Sequence, residues 1–325
     1  MKLFTPTNFF NEKVSIFPSD KMLSIGSCFS ERIGTRLQKS GFSILVNPVG
    51  TLFNPLSISK ILRRGLNNDV ATLEDIQQNQ ERYFHFDASG QLADTEEEKV
   101  LANFNCAIKD INTHVRSSKF IIITLGTAFA YQLNSTKEVV ANCHKVPQAN
   151  FTKVLLSIDQ MTNRLSSIIN DIKEVNPEVK FIFTVSPVRH IKDGVMENQR
   201  SKARLIEVVH SLRENQGTFY FPSYEIVMDE LRDYRFYNQD LVHPNSMAEE
   251  IIWEYFSKEY FSNEAKEMAV EVEKLNKSLS HKPFNVKSNS YRKFLDKQEE
   301  KIDELQGKYP HIDFASVLLR LKSLN

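Results

Sequence analysis

Residues Met22 to Ser40 read MLSIGSCFSERIGTRLQKS, and their reading decides the fold. Met22 to Ile25 is a short apolar run of the kind that forms a buried strand. Gly26 permits a sharp turn, Ser27 and Cys28 follow, and Glu31 to Gln38 has helical character. Gly41 stands where a helix C-cap is expected. The unit is a strand, a tight turn carrying small nucleophilic side chains, and a helix. Backbone N–H groups and the positive end of a helix dipole converge on such a turn. A thiol there is expected to have its thiolate favoured and its pKa lowered, and the same N–H groups can hold a developing oxyanion. The competing reading is a cysteine that simply packs behind a buried strand.

The composition sets bounds on function. At 325 residues, with 41% hydrophobic and 25% charged residues, the chain suits one large α/β domain with an appendage. Lys plus Arg and Asp plus Glu balance at 41 each, so there is no basic footprint for nucleic acid. Cys28, Cys106 and Cys143 are few, odd in number and in no metal or redox spacing. They are expected as free thiols in a reducing, cytoplasmic setting. The first twenty residues lack an uninterrupted apolar core and a small-residue cleavage site, and no run is long and apolar enough to span a membrane.

Working outward, Phe42–Val46, Phe120–Leu125, Lys180–Val185 and Thr218–Phe221 join Met22–Ile25 as strand candidates. Helical patterns lie between them, including Pro55–Arg64, Glu97–Arg116, Glu197–Glu214 and Ser246–Tyr260, and one long amphipathic helix is expected over Thr152–Val175. Alternation of this kind predicts a three-layer α/β/α sandwich around a parallel sheet of about five strands, flavodoxin-like in plan. The expected domain is residues 1–260, with an insertion at about 67–118 laid over one end of the sheet. Residues 261–325 read as a helical extension, broken at His281-Lys282-Pro283, that packs on the core or joins copies of the chain into a homo-oligomer. In such sheets ligands bind beyond the carboxyl ends of the strands, where Cys28, Gly50, Gly126, Arg189 and His190 fall.

The loop before the helix at Ser246 reads Asn238-Gln239-Asp240-Leu241-Val242-His243-Pro244-Asn245. An aspartate three residues before a histidine can curl back to accept its Nδ1–H, leaving Nε2 to act as a base. The chain resembles the SGNH (GDSL-like) hydrolase superfamily and, within it, the GSCFA family, whose motif reads Gly26-Ser27-Cys28-Phe29-Ser30 here with Ser30 in place of Ala. Leu125-Gly126-Thr127-Ala128, Ala141-Asn142-Cys143-His144-Lys145, Thr184 to His190, Lys192-Asp193-Gly194 and Ser201-Lys202-Ala203 are similar to that family as well. The resemblance implies an acyl-transfer enzyme of esterase, O-acyltransferase or deacetylase type. Cys28 or Ser27 would be the nucleophile, His243 the base and Asp240 its orienter. Gly50 is the implied oxyanion glycine. The superfamily's oxyanion asparagine is replaced by Ala128, unless Asn142 supplies that donor. The alternative is a degenerate binding or scaffold protein using the Arg189 and His190 pocket.

Gly126, Thr127, His144, Arg189, His190 and His85 are the substrate-binding candidates, with Arg189 and His190 suited to clamp an anion. Cys143 and His144 are adjacent and would point apart in extended chain, so no metal site is expected. No resident cofactor is implied, although acetyl-CoA or another acyl donor would serve as co-substrate. The expected partner is a small ester or acylated carbohydrate.

Overall fold

The strand Met22–Gly26 (β1) is buried at every residue and lies inside the sheet, as its apolar run requires. The computed structural model describes residues 5–7, 14–280, 288–312, 314 and 318. After β1 come helix Cys28–Lys39 (α1), strand Ile44–Val46 (β2) and helix Pro55–Asn67 (α2). A hairpin of Gln77–Asn79 (β3) and Arg82–Phe84 (β4) precedes helix Glu97–Ser117 (α3). Strands Phe120–Leu125 (β5), Phe129–Leu133 (β6), Val139–Val140 (β7) and Phe151–Leu155 (β8) lead to helix Ile158–Val175 (α4). Then follow Lys180–Val185 (β9), Val195–Gln216 (α5), Phe219–Tyr220 (β10) and one turn at Ser223–Glu225 (α6). Ser246–Tyr260 (α7), Asn263–Leu279 (α8) and Asn289–Lys308 (α9) complete the described chain.

The main sheet runs β10-β9-β5-β1-β2, all parallel, so the fold is the expected α/β/α sandwich with five strands. Side chains alternate across it with period two. Leu23, Ile25, Ile121 and Ile123 face one core, which α2, α3, α4 and α5 close with Ile61, Ile111, Leu165 and Val208. Met22, Phe120, Ile122 and Ile182 face the other, closed by Leu37 of α1, Phe256 of α7, Val272 of α8 and Ile302 of α9. Helices α8 and α9 thus belong to a layer of the sandwich. The break expected at residues 281–283 lies outside the described residues.

The helix expected from Thr152 begins later. Phe151–Leu155 is instead β8, paired antiparallel with β6 in a small second sheet, β7-β6-β8. The stripe of Leu155 and Leu156 suits a helix, but Ser157 starts one: its Oγ accepts the Gln160 N–H and the Gln160 side chain accepts the Ser157 N–H. Among the described residues no helix is long and apolar enough to cross a membrane.

Candidate active site

The β1–α1 turn is built on Gly26. Its φ is +145°, and an added Cβ would lie 2.2 Å from the carbonyl oxygen of Thr124 on the neighbouring strand. Only a residue without a side chain lets β1 run so close to β5 and still turn. Asn47, just past β2, accepts the Gly26 N–H through Oδ1 at 2.9 Å. Ser27 is 1% exposed and caps α1: its Oγ accepts the Phe29 N–H at 3.3 Å, and its own N–H donates to Thr124 O. Cys28, the first residue of α1, is half-buried and opens into a cleft of about 680 Å³ that Arg32, Val188, His243 and Pro244 also line.

The electrostatics of Cys28 differ from the expectation. Burial pushes the thiol above its ordinary pKa. The N–H groups of Cys28 and Phe29 and the charges of Lys202 and Arg32 pull the other way and do not overcome it. A helix N-terminus lowers a thiol's pKa when the sulfur keeps some contact with water; here loss of hydration outweighs the dipole.

Across the cleft, His243 donates Nδ1–H to Asp240 Oδ2 at 2.7 Å. Asp240 Oδ1 accepts the N–H groups of Val242 at 2.9 Å and His243 at 3.0 Å. The curl requires Leu241 to take φ +58°, in the left-handed region. The N–H donors of His243 and Val242 hold the Asp240 carboxyl down at about 2, so it stays an anion and an acceptor. The loop closes on itself through Asn238 N–H to His243 O, and Asn245 caps α7 by accepting from Met247 and Ala248. Arg189 donates to the Leu241 carbonyl, and its guanidinium carbon lies 4.9 Å from the centre of the Tyr237 ring. In these contacts Arg189 braces the turn.

At the ends of β5 and β9 the structure assembles a buried polar cluster. His190 donates its backbone N–H to Asn198 Oδ1 at 2.9 Å and sets its ring edge-on to Phe53. Burial and the nearby Lys202 charge push its imidazole down to about 4, so it is neutral at pH 7. Gly126 and Thr127 donate their N–H groups to the Phe53 carbonyl. Ser201 Oγ accepts the Ala128 N–H at 2.7 Å and meets Thr127 Oγ1 at 3.1 Å. Lys202, 1% exposed, donates through Nζ to Gly126 O at 2.7 Å and Ser186 O at 2.6 Å, and burial pushes it down to about 7.

Asn198, Ser201 and Lys202 were not among the expected site residues. A signal for them was present in α5, where the buried stripe Leu205, Val208, Val209 and Leu212 continues backwards onto these three polar positions. A core stripe that turns polar at its strand-end extremity marks a polar interior beneath a site.

Other expected residues stand elsewhere. Gly50, at φ +75°, donates its N–H to Asn47 O at 2.7 Å, and its backbone is crowded by Ser89. His85 is buried, stacks on Phe104 with centroids 4.0 Å apart, and accepts the Asp87 N–H at Nδ1. His144 stacks on Phe84 at 4.2 Å and bonds through Nε2 to the carbonyls of His85 and Ala88. Asn142 Oδ1 accepts the His144 N–H at 2.8 Å. These contacts fasten the segment around β4 to the loop after β7, and none of His85, Asn142 and His144 lines the cleft of Cys28 and His243. Among the described residues no group of His, Cys, Asp and Glu could hold a metal ion.

Comparison with known families gives two matches. Residues 21–256 match the model of the GSCFA family, and residues 272–324 match that of the GSCFA domain protein, C-terminal domain. No curated protein matches the chain.

Proposed function

The chain belongs to the GSCFA family, and from that premise and the geometry of the cleft we propose that it is an acyl-transfer enzyme working through a covalent acyl-enzyme on Cys28. The reading includes kinship with the SGNH hydrolases. One observation carries it: Cys28 and His243 line the same cleft, and His243 is fixed by Asp240 at 2.7 Å, leaving Nε2 for the thiol proton.

In this mechanism the Cys28 S–H proton passes to His243 Nε2 as sulfur adds to the acyl carbonyl carbon. The carbonyl π pair moves onto oxygen, within reach of the N–H groups at the start of α1. Collapse of the tetrahedral adduct breaks the bond to the leaving group, which takes the proton from His243. An acceptor hydroxyl then gives His243 its proton, attacks the thioester and releases the Cys28 thiol. Water makes the enzyme a hydrolase, and a carbohydrate hydroxyl makes it a transferase. A polar acceptor is supported by the cleft wall beyond Cys28, which carries Arg32, Arg36, Glu249, Glu273 and Asn276.

Intact-protein mass spectrometry after incubation with acetyl-CoA or an activated acetyl ester tests the reading. An acetyl adduct is expected on the parent or on His243→Ala, where turnover is slowed, and its loss in Cys28→Ala but not in Ser27→Ala. Loss in Ser27→Ala alone would move the nucleophile to Ser27. The raised thiol pKa and the engaged Gly50 N–H favour a second reading, a binding protein without covalent chemistry. Absence of both adduct and turnover with either donor decides for it.

A further inference from the structure

One face of α1 lines the cleft from end to end: Cys28, Arg32, Thr35, Arg36 and Lys39 follow one another at helical spacing. From Cys28 to Lys39 the helix rises about 16 Å, so the cleft is a groove that runs well past the nucleophile. Its opposite wall keeps step with α1. Glu249 of α7 meets Arg32 at 3.4 Å, and Glu273 of α8 meets Arg36 at 3.4 Å. Asn276 of α8 donates through Nδ2 to the Lys39 carbonyl at 2.6 Å. The apolar lining belongs to the other end. Phe29 and Pro244 adjoin Cys28 and His243 in the chain, and Val188 precedes the Arg189 that braces their turn. Beyond these three, every lining residue is polar.

The polar groups of the far half are each anchored by one atom. Glu273 Oε1 accepts from Ser40 Oγ at 2.8 Å and from Arg36 Nε at 3.4 Å. Arg36 is itself held by Glu250 at 2.5 and 3.0 Å and lies over the Trp253 ring. Among the described residues nothing bonds to Glu273 Oε2 or to Asn276 Oδ1. The groove therefore offers two acceptors whose positions are fixed before anything binds, which lowers the cost of binding to them. Its charges cancel: Arg32, Arg36 and Lys39 stand against Glu31, Glu249 and Glu273. A charged substituent there would meet a like charge as near as an opposite one.

We propose that the groove holds a neutral oligosaccharide along α1, with the acylated sugar at Cys28 and the sugars beyond it bonded through hydroxyls to Glu273 and Asn276. A hydroxyl can donate to the open carboxylate and amide oxygens and accept from guanidinium N–H groups. A long acyl chain can do neither, so only a short acyl group suits the apolar end. Sugars bound this far from the ester supply binding energy that holds the reacting bond in place.

The inference rests on the acyl-transfer reading for which end of the groove is reactive, and its test is made where no bond is broken. Calorimetry on Cys28→Ala compares xylobiose with xylopentaose and cellobiose with cellopentaose. In at least one series the pentamer is expected to bind on the order of tenfold tighter than the dimer. Glu273→Ala and Asn276→Ala, each added to Cys28→Ala, should erase most of that gain and leave the dimer's affinity as it was. Glu273→Gln should keep part of the gain. Glu273→Ala leaves Arg36 bonded to Glu250, and Asn276→Ala probes the same wall should Glu273→Ala fail to fold. Equal affinity for dimer and pentamer in both series, no binding in either, or a gain untouched by both substitutions overturns the proposal. Tighter binding of pentagalacturonic acid, an anionic chain of the same length, or of a Gly-Ser peptide of matching length overturns it as well. A length effect with no acyl adduct on the parent sinks only the acyl-enzyme. An adduct with no length effect sinks only the extended substrate.

Discussion

Arg189 donates to the backbone carbonyl of Leu241, so the segment leaving β9 holds the turn that carries Asp240 and His243. Leu241 is the residue of that turn in the left-handed region. The brace fixes the one position of the Asp240–His243 turn that takes a positive φ. In Arg189→Met the turn loses this bond and the stacking on Tyr237. Turnover of an activated ester is expected to fall on the order of tenfold, since small misplacements of a base are costly. The urea midpoint should stay close to that of the parent.

Asp240→Asn separates charge from shape. An amide oxygen can still accept the N–H groups of Val242 and His243, so the turn persists. The amide cannot accept Nδ1–H as a carboxylate does, and the imidazole loses its tautomer preference. A loss of about 10²–10⁴ in kcat is expected, with circular dichroism unchanged. Full activity in Asp240→Asn would remove Asp240 from the mechanism.

Two histidines, His85 buried and His190 half-buried, make stability depend on acid. His85 and His190 are each pushed from 6.5 down to about 4, so the unfolded chain binds protons first as the pH falls. The stability they contribute is complete above about pH 6.5, is lost as the pH falls toward 4, and does not decline further below that on their account. Linkage gives on the order of 3 kcal/mol for each as an upper figure. Urea midpoints measured at pH 7, 6, 5 and 4.5 should fall steadily, and His190→Gln should remove close to half of the slope. A flat profile for the parent would mean that neither imidazole is held neutral.

Asp87, 4% exposed, takes ion pairs from Lys60 at 2.8 Å and Arg64 at 3.3 Å, and so ties the segment after β4 to α2. Removing it leaves Lys60 with Glu138 and Arg64 with Asp69 as acidic partners, both of them more exposed than Asp87. Asp87→Ala is expected to destabilise by about 1–3 kcal/mol in urea unfolding. Lys60→Met with Asp87→Ala should recover part of that loss, because one weakly compensated charge is then gone.

Gly26→Ala forces a methyl group to 2.2 Å from Thr124 O at a φ that L residues rarely adopt. The central pair of strands must separate to accept it. Little or no soluble protein is expected, in contrast to Gly90→Ala, where a Cβ meets nothing within 4 Å.

The sheet was legible because β1, β5 and β9 are buried runs whose period-two side chains serve both cores, and each is followed by a glycine, serine or proline turn. Asp240 and His243 were legible because three residues suffice to close their turn. What local pattern could not give was the competition between neighbours. Leu155 and Leu156 fit a helical stripe until the Ser157 capping box fixes where α4 begins. The ionisation of Cys28 depends on how much water its packing excludes, which no spacing encodes. His85 and His144 resemble ligand-binding groups in sequence. Their rings are committed to Phe104 and Phe84, residues far apart in the chain from at least one partner.

Glu273 and Asn276 of α8 line the cleft that Cys28 and His243 share, and Arg36 of α1 bonds to Glu273 across it. That wall of the cleft is therefore furnished by the start of the second family-matched region. A chimera that exchanges residues from 261 onward with those of a relative would replace that wall while leaving Cys28 and His243 untouched. On the proposed acyl-transfer reading, acceptor choice and bond-making would then be inherited from different parents.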